Sequence, residues 1–148
     1  MPELPEVEVT RQGLLAHLAG RRVKGITWSG RRLRRPMPRK RLRQQIDGER
    51  IRTVDRRAKY LLFRMENESV LVIHLGMTGR IGMFPSSSQV QRHDHLRLLL
   101  DNGLEMRFND CRRFGSVDVW PTEEAVARER AFTSSQGLEP LGNAFTAG

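Results

Sequence analysis

From Ile51 to Trp120 the chain breaks into short apolar segments separated by turn-forming residues, and this pattern constrains the fold more than any other feature. The segments Ile51–Val54, Tyr60–Met65, Val70–His74, Arg80–Phe84, Leu96–Leu100, Leu104–Phe108 and Ser116–Trp120 are too short for packed helices, so they predict strands. Asp101-Asn102-Gly103 is a hairpin signal, because Asn-Gly readily takes positive φ. Glu66-Asn67-Glu68-Ser69 is a second polar turn, and Pro85–Gln91 is a Ser-rich exposed loop. Before them, Val23–Trp28 predicts one more strand, followed by the Gly- and Arg-rich loop Ser29–Arg35. A helix is predicted from Glu3 to Leu18, with Leu4, Val7, Leu14, Leu15 and Leu18 near one face, Pro5 in the first turn and Gly20 as a stop. Thr122 is a candidate N-cap, with Glu123 and Glu124 in the first turn of a short helix to about Ala131. The expected fold is α+β, mostly β: a two-layer antiparallel β-sandwich (or a barrel) with an N-terminal helix and a short C-terminal helix. It is expected over residues 1–131, with 132–148, rich in Ser, Gly, Pro and Asn, as a linker.

A chain of 148 residues suits one domain, and its 38% apolar content fills a core without supplying a membrane span, which needs about 18 consecutive apolar residues. The start Met1-Pro2-Glu3-Leu4-Pro5-Glu6 lacks the basic and apolar regions of a signal peptide, so a soluble cytoplasmic protein is expected. The single cysteine, Cys111, excludes an internal disulfide and a multi-cysteine zinc site in this chain, and no metal is expected. Lys and Arg number 26 against 17 acids, a net charge of +9. The segment from Arg21 to Arg64 holds 17 of these cations against Asp47, Glu49 and Asp55, a local charge of +14. Such a field favours polyanions, by releasing condensed counterions from nucleic acid, but it also describes a solvated basic surface. Arg outnumbers Lys 23 to three, which suits phosphate and base edges.

Several residues have the chemistry for a reaction. With Met1 removed, Pro2 is a secondary amine able to attack an aldehyde carbon and form an iminium; with Met1 retained, the same nitrogen is a tertiary amide without a nucleophilic lone pair. A helix N-terminus disfavours protonation of that amine, and Glu3 and Glu6, three apart, share a helical face from which carboxylates shuttle protons. The same residues equally fit any helix first turn. Lys59, in Arg56-Arg57-Ala58-Lys59-Tyr60, sits where a basic run enters an apolar strand: either a partly buried amine or a phosphate-contacting, solvated one. In His74-Leu75-Gly76-Met77-Thr78-Gly79, two glycines bracket a methionine, which is either a wedge between bases or core. Asn109-Asp110-Cys111-Arg112-Arg113-Phe114-Gly115 places Phe114 beside two arginines, which suits stacking at a gap in a duplex or a buried ring with surface charge. The alternation His93-Asp94-His95 puts both imidazoles on one side of a strand, for phosphate contact or plain strand surface.

Taken together, Pro2-Glu3-Leu4-Pro5-Glu6-Val7-Glu8, Arg56–Leu62, His74–Gly79, Arg112–Gly115 and Gly137-Leu138-Glu139-Pro140-Leu141 resemble bacterial formamidopyrimidine-DNA glycosylases in order and spacing across essentially the whole chain. Leu4, where endonuclease VIII relatives commonly carry Gly, points to the oxidised-purine branch. The resemblance implies base-excision DNA repair by a bifunctional DNA glycosylase and abasic-site lyase, a monomer of the bacterial cytoplasm associated with the nucleoid. Its partner is double-stranded DNA carrying an oxidised purine (formamidopyrimidine, 8-oxoguanine) or an abasic site. Pro2 is then the Schiff-base nucleophile, Glu3 the proton donor and acceptor for sugar opening, Glu6 support for that network, and Lys59 a further proton donor. Met77, Arg112 and Phe114 fill the gap left by the extruded base, while His74 and His93 grip phosphates. Base flipping is required because C1′ is inaccessible inside the stack.

Two departures follow from the resemblance. Cys111 stands where the family has Pro. The family's helix–two-turn–helix and zinc-finger domains, with one structural zinc, have no counterpart in these residues. No cofactor is therefore expected in this chain, and the isolated portion is expected to be weak or inactive in base excision.

Overall fold

The computed structural model describes residues 4–136. Helix α1 (Leu4–Leu18) is followed by β1 (Val23–Trp28), a short helical stretch α2 (Arg39–Arg41) that continues as a π-helical turn over Leu42–Ile46, and then β2 (Ile51–Arg57), β3 (Tyr60–Met65), β4 (Val70–His74), β5 (Arg80–Pro85), β6 (Asp94–Leu100), β7 (Leu104–Asn109), β8 (Ser116–Trp120) and α3 (Ala125–Gln136). The strands form two four-stranded antiparallel sheets, ordered β1-β6-β7-β5 and β2-β3-β4-β8, which gives the expected sandwich.

The core lies between the sheets. Leu61, Phe63, Leu71, Ile73, Val117 and Val119 of one sheet meet Leu96, Leu98, Met106 and Phe108 of the other. Helix α1 adds Val7, Leu14 and Leu18 from one face, as its spacing predicts, and packs against β2 and β5. The hairpin between β6 and β7 turns at Asp101-Asn102-Gly103 as expected, with Gly103 at φ +84° and the Asn102 Oδ1 accepting the Leu104 N–H at 3.1 Å. Among the described residues no helix is long and apolar enough to cross a membrane.

Several predicted boundaries are corrected. β2 runs on to Arg57, because it pairs with β3 up to Arg57–Tyr60 and its arginines find acids. β6 starts at Asp94, whose buried carboxylate accepts the Gln91 N–H and the Asn109 side-chain amide. β5 and β7 each extend one residue, to Pro85 and Asn109. Thr122 does not cap α3. Its hydroxyl donates to the Asn67 carbonyl at 2.8 Å, its N–H is taken by Gln45 Oε1, and the helix begins three residues later at Ala125. Glu123 and Glu124 therefore lie in a turn before the helix, which runs past Ala131 to Gln136. The turn at Leu42–Ile46 had no sequence signal beyond Leu42 and Ile46, both fully buried.

Helix α3 lies on the outer face of the second sheet, over a separate apolar cluster of Leu62, Val70, Val72, Trp120 and Ala125, with Tyr60 and Phe132 at its edge. Charge holds it there as well. Glu129 binds Arg64 through both carboxylate oxygens (2.8 and 2.9 Å) and Arg57 at 3.3 Å, and Arg64 also binds Asp55. Burial alone raises the Glu129 carboxyl, yet Arg64 and Arg57 outweigh it and hold the group below the usual carboxylate range. Arg57 is only 5% exposed, so Glu129→Gln weakens the charge pairing of a poorly hydrated cation and breaks the two-pronged bond to Arg64. Glu129→Gln is expected to cost about 2 kcal/mol; a urea titration checks it as a lower midpoint at unchanged slope.

Candidate active site and nucleic-acid interface

Antiparallel pairing sets which loops meet. Tyr60 faces His74 and His74 faces Ser116 in one sheet, while Arg80 and Asp94 both face Asn109 in the other. The β2–β3 turn with Lys59, the β4–β5 loop with Met77, the β7–β8 loop with Arg112 and Phe114, and the approach to β6 with His93 therefore gather at one end of the sandwich. Pro2 and Glu3 lie outside the described residues. Glu6, exposed on the first turn of α1, shares a depression of ≈ 320 Å³ with Val7, Leu75, Met77 and Arg80.

The Lys59 turn is tied to α1 by one guanidinium. Arg56 donates from Nε to Glu8 Oε1 at 2.9 Å and from Nη1 to the Ala58 carbonyl at 3.2 Å, and Ala58 adopts φ +51°. Glu8 also binds Arg11 at 2.7 Å; with Arg11 and then Arg56 beside it, its carboxyl stays ionised far below the usual range. Lys59 itself is half-buried, and its carbonyl accepts the Leu75 N–H at 3.4 Å, which joins this turn to the β4–β5 loop.

His74 is packed against Tyr60, with ring centroids 4.3 Å apart, and Tyr60 in turn meets Phe132 of α3 edge-on at 4.7 Å. The His74 Nδ1 accepts the Gly76 N–H at 3.2 Å, so the neutral ring carries its proton on Nε2. Burial first, then the charges of Arg34 and Lys59, push this imidazole below its ordinary value. His74 lines a ≈ 420 Å³ cleft with Arg34, Arg35, Tyr60 and Ser116.

The β4–β5 and β7–β8 loops touch through glycine. A Cβ on Gly76 (φ +64°) would stand 2.6 Å from the Gly115 nitrogen, and one on Gly115 would stand 2.5 Å from the His74 carbonyl oxygen. From this contact Met77 and Phe114 project outward, 42% and 46% exposed. Of the open sequence readings, wedge or core, both side chains lie on the surface. The Arg112 guanidinium stands 5.6 Å over the Phe114 ring, and exposed Arg31, Arg32, Arg34 and Arg35 flank the loops, with the Arg34 N–H bound to the Gly115 carbonyl.

His93 and His95 share a side, 6.2 Å apart, but only His93 reaches the surface, where it lines a ≈ 430 Å³ cavity with Arg80, Arg92 and Asn109. His95 is fully buried and donates from Nε2 to the Asp110 carbonyl at 2.8 Å, while its Nδ1 accepts the Ser29 hydroxyl at 3.0 Å; it is neither phosphate contact nor strand surface. The sequence reading missed Asp110, fully buried between these loops, whose partners are too far apart along the chain to give a local signal. It also missed Tyr60 and Glu8 as supports. No group of three or more His, Cys, Asp or Glu among the described residues is placed to hold a metal ion.

The sequence profile of the formamidopyrimidine-DNA glycosylase N-terminal domain matches residues 1–117. The chain belongs to this family. It is 44% identical over 145 residues to the formamidopyrimidine-DNA glycosylase of Stutzerimonas stutzeri and 45% identical over 147 residues to that of Acidithiobacillus ferrooxidans. These alignments cover 98% and 99% of this chain and 52% of each relative, so the chain spans about half the length of the curated relatives it matches. Among solved structures, it is similar to the Lactococcus lactis enzyme bound to DNA containing N7-benzyl-Fapy-dG (TM-score 0.75, 26% identity, 88% of this chain and 48% of that one). It is also similar to the same enzyme bound non-covalently to DNA with an abasic site (TM-score 0.74, 26% identity, 87% and 48%).

Burial, the largest influence on both His74 and His95, keeps these rings neutral in the folded state. In the unfolded chain they take up protons near pH 6.5. Between that pH and the lower folded values the unfolded state binds more protons, so acid destabilises the fold. The melting temperature is expected to be flat above about pH 7 and to fall between about pH 6.5 and 5, and the double variant H74Q/H95Q to lose most of that slope.

Proposed function

We propose that this chain is the chemistry-bearing half of a base-excision repair enzyme, a DNA glycosylase and abasic-site lyase acting on duplex DNA with an oxidised purine or an abasic site. The observation that carries the reading is the pair of exposed apolar side chains, Met77 and Phe114, projecting from one loop contact among arginines at the end of the sandwich that also holds Glu6 and Lys59. Apolar wedges on a basic surface suit a duplex from which one nucleotide has been turned out.

In this reading the arginines neutralise phosphates, His74 donates its Nε2 proton to a phosphate oxygen, and His93 does the same at its own cavity. Met77, Phe114 and Arg112 occupy the gap and face the orphan strand. The Pro2 amine adds to C1′ of the extruded nucleotide and gives up its N–H proton to the Glu3 carboxylate; the glycosidic bond breaks with its electrons on the base, which takes up a proton. The sugar oxygen is protonated by Glu3 as the ring opens, and the amine remains bound to C1′ as an iminium. Transfer of a C2′ proton to the Glu3 carboxylate, free again after ring opening, converts the iminium to an enamine, whose electrons expel the 3′ phosphate. Glu6 supports the proton network and Lys59 supplies a further proton. The amine provides the electron sink, so these steps need no metal or organic cofactor. Binding as a monomer and weak base excision by these 148 residues alone are part of the proposal.

Borohydride trapping on a duplex with an abasic site tests it, with protein whose first residue is confirmed by mass as Pro2. The expected result is a covalent adduct that maps to Pro2 and is lost when Pro2 is acetylated. An adduct on another residue, or none at high protein concentration, overturns the assignment of the chemistry to this chain.

A further inference from the structure

Resting on that reading of Met77 and Phe114 as gap-filling side chains, we propose that Asp110 and Thr78 form a latch that fixes the spacing of the two wedges, and that they act as positioning residues for recognition of the gap. The Asp110 carboxylate is fully buried, and among the described residues its hydrogen-bond donors all come from the two wedge loops. Its Oδ1 accepts the Arg113 N–H at 3.1 Å and its Oδ2 the Gly115 N–H at 2.8 Å. These two amides flank Phe114, so drawing both inward turns the intervening side chain out. Arg113 pays for this geometry with φ +58°.

The same Oδ1 accepts the Thr78 hydroxyl at 2.6 Å, and Thr78 is the residue next to Met77. The Thr78 Oγ1 also accepts the Arg112 N–H at 3.3 Å. One carboxylate thus grips the backbone on both sides of Phe114 and the side chain beside Met77. Its own backbone is anchored independently, the N–H to the His93 carbonyl and the carbonyl to His95. The glycine contact sets how closely the loops approach; the Thr78 hydroxyl, bonded to Asp110 and to the Arg112 N–H, crosses the contact and holds one loop against the other. Wedges held at a fixed spacing enter a gap without an ordering cost, and the benefit falls only on DNA that has a gap.

The test compares the 148-residue chain with Thr78→Val, Thr78→Ser and Asp110→Asn on two duplexes, one intact and one with an abasic site opposite 2-aminopurine. Thr78→Val keeps the shape and removes the donor, so it keeps the measurement open if Asp110→Asn does not fold. Expected are a roughly tenfold loss of preference for the abasic duplex in Thr78→Val, a reduced 2-aminopurine response, and recovery of both in Thr78→Ser. Met77→Ala and Phe114→Ala are run alongside. If they leave the preference intact, the gap-filling reading itself fails. If they abolish it while Thr78→Val matches the wild type, or if Thr78→Val weakens both duplexes equally, the latch is overturned.

Discussion

Two glycines facing each other across the end of the sandwich make the rest of the site possible. Gly76 and Gly115 let the β4–β5 and β7–β8 loops meet backbone to backbone, closer than any side chain allows. The loops arise at the same end of one strand pairing: one leaves the second sheet after His74, the other enters it at Ser116, directly opposite. Only their close approach turns two connections into a single surface that carries Met77, Arg112 and Phe114. The Thr78 hydroxyl bonds to the buried Asp110 carboxylate across the junction the glycines create, and the Arg34 amide joins it from a third segment at the Gly115 carbonyl. A Cβ at either glycine separates the loops and dissolves these bonds together.

The charge of the chain reads differently once its partners are visible. The net +14 between Arg21 and Arg64 counts every arginine alike. Arg56, Arg57 and Arg64, however, are committed to Glu8, Glu129 and Asp55, and tie α1 and α3 to the second sheet. Arg107, outside that segment, is buried with Glu105 and holds the carbonyls of Ser88 and Gln89. Arginines left on the surface in or beside the β4–β5 and β7–β8 loops are Arg31, Arg32, Arg34, Arg35, Arg80, Arg112 and Arg113. The field available to a polyanion is thus smaller than the sequence total, and part of it stands next to these loops.

Strands were legible wherever apolar residues clustered between turn formers, and Tyr60–Met65, Val70–His74 and Ser116–Trp120 have the predicted limits. The reading stopped short where charged residues continue a strand, as at Arg56 and Arg57, because their acids lie on helices far along the chain. It placed α3 too early because Thr122, a good cap in isolation, binds Gln45 and Asn67. The candidate site was legible as local motifs: Lys59, His74, Met77 and Phe114 each stand out from their neighbours. What holds them was hidden, since Asp110 and Thr78, or Glu8 and Arg56, acquire meaning only when the strands bring them together.

The Arg56 guanidinium, bound at once to Glu8 on α1 and to the carbonyl of Ala58, has a mechanical implication. It makes Glu8 of α1 and the Lys59 turn two ends of one strut. Any tilt of α1 drags the turn along, so the spacing between Glu8 and the Lys59 turn is conserved while both shift relative to the β4–β5 and β7–β8 loops. A load on the helix would therefore move α1 and the Lys59 turn as one body, and the compliance would reside in the seam between α1 and β5.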